Sequence, residues 1–181
     1  MAEPGPQDVI DFWIDAGPEK WWKKNPDFDA EIEQRFGETH RRAAAGELDE
    51  WGTTPDGALA LILVLDQFSR NLFRNSPRAF AQDEQCVGIV LAQMETGADR
   101  EMHPDVMHFC YLPLMHSEQL EHQQMCIAEM ERLENKPSLR AAIQHRDIIA
   151  DFGRFPHRNA VLGRQTTDSE QAFLDGGGFS G

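Results

Sequence analysis

An all-α fold of about eight helices in antiparallel hairpins is what this sequence predicts, and three observations carry the prediction. Proline and glycine punctuate the chain at intervals of about one helix length. Between these marks, apolar residues recur at helical spacing. No stretch combines strict apolar–polar alternation with β-branched enrichment. Short connections between consecutive helices then imply antiparallel neighbours.

The elements follow in order. Asp8 to Ala16 places Ile10, Trp13 and Ile14 at helical spacing, and Gly17-Pro18 stops it. Pro26-Asp27 opens a second helix that runs to about Ala45, with Phe28, Ile32, Arg35 and Phe36 on related faces and Gly46 beyond it. Thr54-Pro55 reads as an N-cap followed by proline in the first turn, starting a third helix that continues to about Arg70. Its centre, Ala58 to Leu65, is apolar on every side and far short of the ~18 residues a membrane span needs. After Asn75-Ser76-Pro77, a fourth helix begins near Asp83 and ends at Gly97. His103-Pro104 opens a shorter helix that Pro113 interrupts. Ser117 caps a long amphipathic helix to about Glu134, with Leu120, Met125, Ile127, Met130 and Leu133 inward. Lys136-Pro137-Ser138 starts the next, with Leu139, Ala142, Ile143 and Ile149 inward and a stop near Gly153 or Pro156. Thr167-Asp168-Ser169-Glu170 is a capping box for a last short helix. The expected organisation is one all-α domain over residues 1–175 and a flexible tail, GGGFSG, over 176–181.

Composition narrows the function classes. A formal net charge of −14 over 181 residues sets a field that repels polyanions, so neither nucleic acid nor an anionic membrane surface is an expected partner. The three cysteines, Cys86, Cys110 and Cys126, are widely spaced and form no C-x-x-C, which fits buried reduced thiols in a cytoplasmic protein. The opening MAEPGPQDVIDFW has no basic n-region and no apolar h-region, so no secretory signal is expected.

Three clusters can carry chemistry. In LDQFSRNLFRNSPRAF, Asp66 and Arg70 lie one turn apart, as do Gln67 and Asn71, and Arg70 and Arg74. They continue a helix that has little exposed surface, and buried arginine needs anionic or carbonyl partners. In LPLMHSEQLEHQQ, His116 and Glu118 place an imidazole near a carboxylate, the minimum for acid–base work. Glu118 and His122 stand at a spacing that can share a metal, but two ligands are not a site, so no metal and no cofactor are expected. In DFGRFPHRNAVLGRQ, turn residues bracket Arg154, His157, Arg158, Asn159 and Arg164, with His145 and Arg146 on the preceding helix. Thirteen arginines against four lysines favour fixed, bidentate recognition of carboxylate or phosphate. The alternative is that these arginines neutralise the chain's own 31 acidic residues.

The strings LVLDQFSRNLFRNSPRAFAQD, YLPLMHSEQLEHQ and FGRFPHRNAVLGRQTTDSEQAFL, with the leading DVIDFWIDAGPEKWWKKNPDFD, resemble the bacterial family catalogued as domain of unknown function 924. The resemblance runs from about Asp8 to Leu174 in the family's order. It implies a TPR-like, right-handed helical stack and carries no catalytic assignment. It marks Asp66, Gln67, Arg70, Asn71, Arg74, His116, Glu118, Arg154, His157, Arg158 and Asn159 as the positions to watch, and suggests that they share one pocket.

The reading that results is a cytoplasmic, helical-repeat-like protein that binds a small anionic or polar ligand, or an acidic peptide, in an Arg/His-lined cleft. The first alternative is a hydrolase- or lyase-like enzyme on an anionic substrate, with His116 and Glu118 or His157 as acid–base. The second is a protein–protein scaffold, with Trp21-Trp22 as an interface anchor or a core staple.

Overall fold

The computed structural model describes residues 3–179, and the fold is all-α, with no strand among the described residues. Ser180 and Gly181, the end of the expected tail, lie outside them. The helices are α1 (Pro6–Trp21), α2 (Pro26–Ala44), α3 (Pro55–Ile62, continued through Leu63–Phe68 and Ser69–Leu72), α4 (Asp83–Thr96), α5 (Leu112–His116), α6 (Leu120–Arg132), α7 (Lys136–Phe152) and α8 (Asp168–Asp175). Two compact units divide the chain: residues up to Arg74 with Arg78–Pro113, and Asn75–Pro77 with the chain from Leu114 onward.

In the first unit, α3 is the buried axis. Ala58 to Leu65 are all at most 2% exposed, which is why this helix can be apolar all round. The helices α1, α2 and α4 pack against it. Aromatic rings fill the space between: Trp13 sits 5.6 Å from Phe68 and 5.4 Å from Phe109, and Phe36 is 5.3 Å from Phe68. Trp21 belongs to this cluster, donating its indole N–H to the Trp13 carbonyl at 2.7 Å. Trp22 is 56% exposed and stacks on Phe109.

In the second unit, α6 and α7 pack along their length across a three-residue connection. Ile148, Ile149 and Phe155 form its apolar centre, with Phe152, Phe173 and Phe179 against them.

The local signals act as the physical chemistry requires. Asn25 accepts from the backbone N–H groups of Asp27 and Phe28, Thr54 from Gly57, and Asn135 from Ser138. Thr167 and Glu170 close the capping box. Gly97 and Gly153 end their helices in the left-handed conformation, with φ of 79° and 69°. Gly17, at φ 66°, breaks α1, after which the helix resumes through Pro18.

Four expectations differ in detail. Pro113 lies in the first turn of α5, following a 3₁₀ stretch at Met107–Tyr111, so it opens that helix instead of interrupting one. Ser117 stands two residues before the true N-cap, Gln119, and accepts the Gln119 N–H. Leu120 and Ile143 face outward, at 42% and 37% exposure. The buried stripe of α6 is instead Gln123, Cys126 and Met130. Gln123 is tolerated inside because its amide donates to the carbonyls of Met115 and Ser117, both at 2.6 Å. Finally, α3 carries a π-helical turn over Leu63–Phe68, which sequence periodicity does not announce.

Candidate functional site

The eleven marked residues fall in both units: Asp66 to Arg74 in the first, His116 to Asn159 in the second.

In the first unit they engage the protein's own carboxylates. Asp66 is fully buried on the π-helical turn. Its Oδ1 meets Arg70 Nη1 at 2.9 Å and its Oδ2 accepts from Gln67 Nε2 at 2.5 Å. Arg70 also reaches Asp83 at 3.1 Å and the Asp66 carbonyl at 2.9 Å. Burial alone would drive its guanidinium toward neutrality; Asp66 and Asp83 reverse this and hold its pKa above the usual value. One turn on, Arg74 binds Asp29 through Nε at 2.6 Å and Nη2 at 2.9 Å, a bidentate fork. Asn71 donates to the same carboxylate at 2.7 Å. The cluster therefore ties α3 to the first turn of α2 and the start of α4.

In the second unit, the loop from Gly153 to Arg164 is wound around one backbone unit. Glu118 Oε1 accepts the Phe155 N–H at 2.8 Å, and Arg164 Nη2 donates to the Phe155 carbonyl at 3.0 Å. Glu118 and Arg164 then close on each other, Nη1 to Oε2 at 2.7 Å and Nη2 to Oε1 at 3.0 Å. Arg164 Nε donates to the fully buried Asn159 at 2.9 Å. Burial would raise the Glu118 pKa, but the Arg164 and Phe155 hydrogen bonds and the nearby Arg158 charge lower it below the ordinary value. Arg154 points elsewhere, gripping Glu170 at 2.5 and 2.8 Å and the Gln165 carbonyl at 2.8 Å. Arg154 first, and then the Thr167 N–H, hold the Glu170 carboxyl far below the usual range.

Replacing Glu118 with glutamine keeps the shape but leaves Arg164 without its carboxylate. The pair is 22% and 29% exposed, so a loss of about 2 kcal/mol is expected, between the surface and buried limits. Urea unfolding of Glu118→Gln measures it, and an unchanged midpoint would remove the clamp from the account.

Three imidazoles gather beside this clamp. The His145 ring lies 6.5 Å from His116 and 5.4 Å from Phe155, and its Nδ1 donates to the Ala141 carbonyl at 2.8 Å. His157 is 5.5 Å from Phe155. Its pKa is pushed down to about 4, first by burial and then by Arg158 and His145. Its Nδ1 is buried and makes no hydrogen bond among the described residues. Arg158, 6% exposed, lays its guanidinium over the Phe155 ring at 4.5 Å. From the tail, Phe179 covers His145 at 4.6 Å and His157 at 5.0 Å.

His122 donates to or accepts from Ser117 Oγ at 2.9 Å. No group of three metal-ligating side chains occurs among the described residues. The thiols of Cys86 and Cys126 are buried, and burial raises both above the ordinary range, Cys126 to about 12. The partners Asp29, Asp83 and Glu170 escape a sequence reading because first-turn acids at helix starts look like capping alone.

A family model described as bacterial protein of unknown function (DUF924) matches residues 9–178. The solved structure of a protein of unknown function, ATU0120, from Agrobacterium tumefaciens is similar to this chain at 39% identity. The match covers 94% of this chain and 97% of the other, with a TM-score of 0.90. No match is found among curated proteins.

Proposed function

The chain belongs to the DUF924 family, and we propose that it binds a small oxyanion, a carboxylate or phosphate, at Arg158 and His157 in its second unit. The observation that carries the reading is the buried His157 Nδ1, which makes no hydrogen bond among the described residues, on an imidazole beside a buried guanidinium. A buried polar atom left without a partner costs about 1–3 kcal/mol and invites one from a ligand. Arg154 and Arg164 hold Glu170 and Glu118, and Arg158, buried next in sequence to His157, is the guanidinium we place beside the ligand. His116 and His145 orient the bound group, and Glu118 positions Phe155, on which Arg158 rests. Phe179 lies over His145 and His157, so binding displaces that ring, and the glycines at 176–178 supply the backbone freedom. The α6–α7 pair fits the TPR-like description of the family, and the buried thiols fit a cytoplasmic setting.

Thermal-shift titration with inorganic phosphate, acetate and citrate tests this on the wild type, Arg158→Gln and Phe179→Ala. At least one anion is expected to stabilise the wild type. That shift is lost in Arg158→Gln and enlarged in Phe179→Ala, where the covering ring is gone. No shift with any anion, or a shift that survives Arg158→Gln, contradicts the reading.

A further inference from the structure

A groove of about 460 Å³ opens in the first unit between α2 and the segment that follows α3. Its size lies in the range of small-molecule sites. Along α2, the residues Glu33, Gly37 and His40 stand at i, i+4 and i+7 and all line the groove. That spacing puts them on one helix face, with Glu33 and His40 roughly 10 Å apart along the axis. Gly37 lies between them, in the interior of a nineteen-residue helix where glycine is a poor choice for stability. Its missing side chain leaves a notch against which the Glu33 carboxylate lies, 3.0 Å from where a β-carbon would stand.

The two ends of the notch offer acceptors. Glu33 is exposed and makes no ion pair among the described residues. His40 is 6% exposed and shares a 2.8 Å hydrogen bond between Nε2 and Ser69 Oγ. Ser69 Oγ also lies 2.5 Å from the Leu65 carbonyl on the π-helical turn. The hydroxyl has one proton and the carbonyl can only accept, so the hydroxyl donates to Leu65 and His40 donates from Nε2. The His40 Nδ1 is thereby left as an acceptor. Burial first, and then Arg78, keep this imidazole neutral down to about pH 4. On the opposite wall, Arg78 is stacked 3.8 Å above the Phe73 ring, a rigid planar cation.

We propose that this groove binds a small zwitterion of amino-acid size, its ammonium held over Gly37 between Glu33 and the His40 Nδ1 and its carboxylate held by Arg78. The site is independent of the oxyanion site in the second unit, and each can fail without the other.

Isothermal titration with the common L-amino acids tests the proposal. Each amino acid that binds is compared with its decarboxylated amine and its deaminated acid. At least one amino acid is expected to bind the wild type saturably, with the amine and the acid at least about tenfold weaker. Gly37→Ala fills the notch with a better helix former, so its melting temperature should hold or rise while binding is lost. Should Gly37→Ala instead melt lower, Arg78→Gln carries the same test of lost binding. Absence of binding to any amino acid, equal binding of the amine or acid alone, or wild-type affinity in the folded variant tested overturns the proposal.

Discussion

Asp66→Ala is expected to cost about 3 kcal/mol of folding stability, among the largest effects of any single substitution in this chain. The carboxylate is wholly buried, and both of its oxygens are occupied, one by Arg70 and one by Gln67. Removing it leaves the Arg70 guanidinium with Asp83 at 3.1 Å as its remaining carboxylate, and leaves the buried Gln67 amide without its acceptor. Breaking a fully buried pair costs about 3–5 kcal/mol; the 21% exposure of Arg70 puts this one at the lower end. The paired substitution Asp66→Leu with Arg70→Met removes both charges together and is expected to recover part of the loss. Urea denaturation of the single and double variants gives the coupling directly. An Asp66→Ala protein as stable as the wild type would refute the claim that the DQFSRN cluster holds the first unit together.

Acid is expected to weaken the fold well before its carboxylates titrate. His40, His108 and His157 are each pushed down to about 4, by burial in every case, with Arg78 adding to the effect at His40 and Arg158 and His145 at His157. The unfolded chain protonates these imidazoles as pH falls through about 6.5, while the folded chain keeps them neutral to about 4. Between those values the unfolded state binds more protons, so stability falls as pH falls. Their contribution is complete above about 6.5 and gone below about 4. Each shift corresponds to about 3 kcal/mol at most, and partial solvent screening brings the three together to about 3–5 kcal/mol. Glu118 and Glu170 act in a lower window, because their lowered pKa values supply stability above about 4.5 that is lost only as pH drops further. Unfolding free energies measured at intervals from pH 7 to pH 4 should decline from the start, and less steeply in His108→Gln. A flat profile down to pH 5 would mean that these imidazoles are not buried neutral.

Much of the architecture was legible because proline, glycine and capping residues act locally. Asn25-Pro26, Thr54-Pro55, the Thr167–Glu170 box, Gly97 and Gly153 each set a helix end through a hydrogen bond or a backbone angle confined to a few residues. The rest depends on partners far along the chain. Asp29 is 45 residues from the Arg74 it neutralises, and Glu118 is 46 from Arg164. Helix periodicity misplaced Leu120 because the buried face of α6 includes Gln123, held by amide bonds that an apolar stripe cannot reveal. The Glu33–Gly37–His40 face carried a signal that hydrophobic patterning passes over: a glycine inside a helix, with polar residues one turn to either side.

In the arginine-rich string DFGRFPHRNAVLGRQ, Arg154 and Arg164 answer the protein's own Glu170 and Glu118. Arg158 and His157 are the pair proposed above to meet a ligand. Proton NMR of the His157 ring during titration with inorganic phosphate tests that division most directly. The account predicts a saturable shift of its ring resonance and a rise of its pKa from about 4 toward the ordinary value as the anion offsets Arg158. A His157 resonance and pKa unmoved by phosphate at saturating concentration, with acetate and citrate equally without effect, would contradict it.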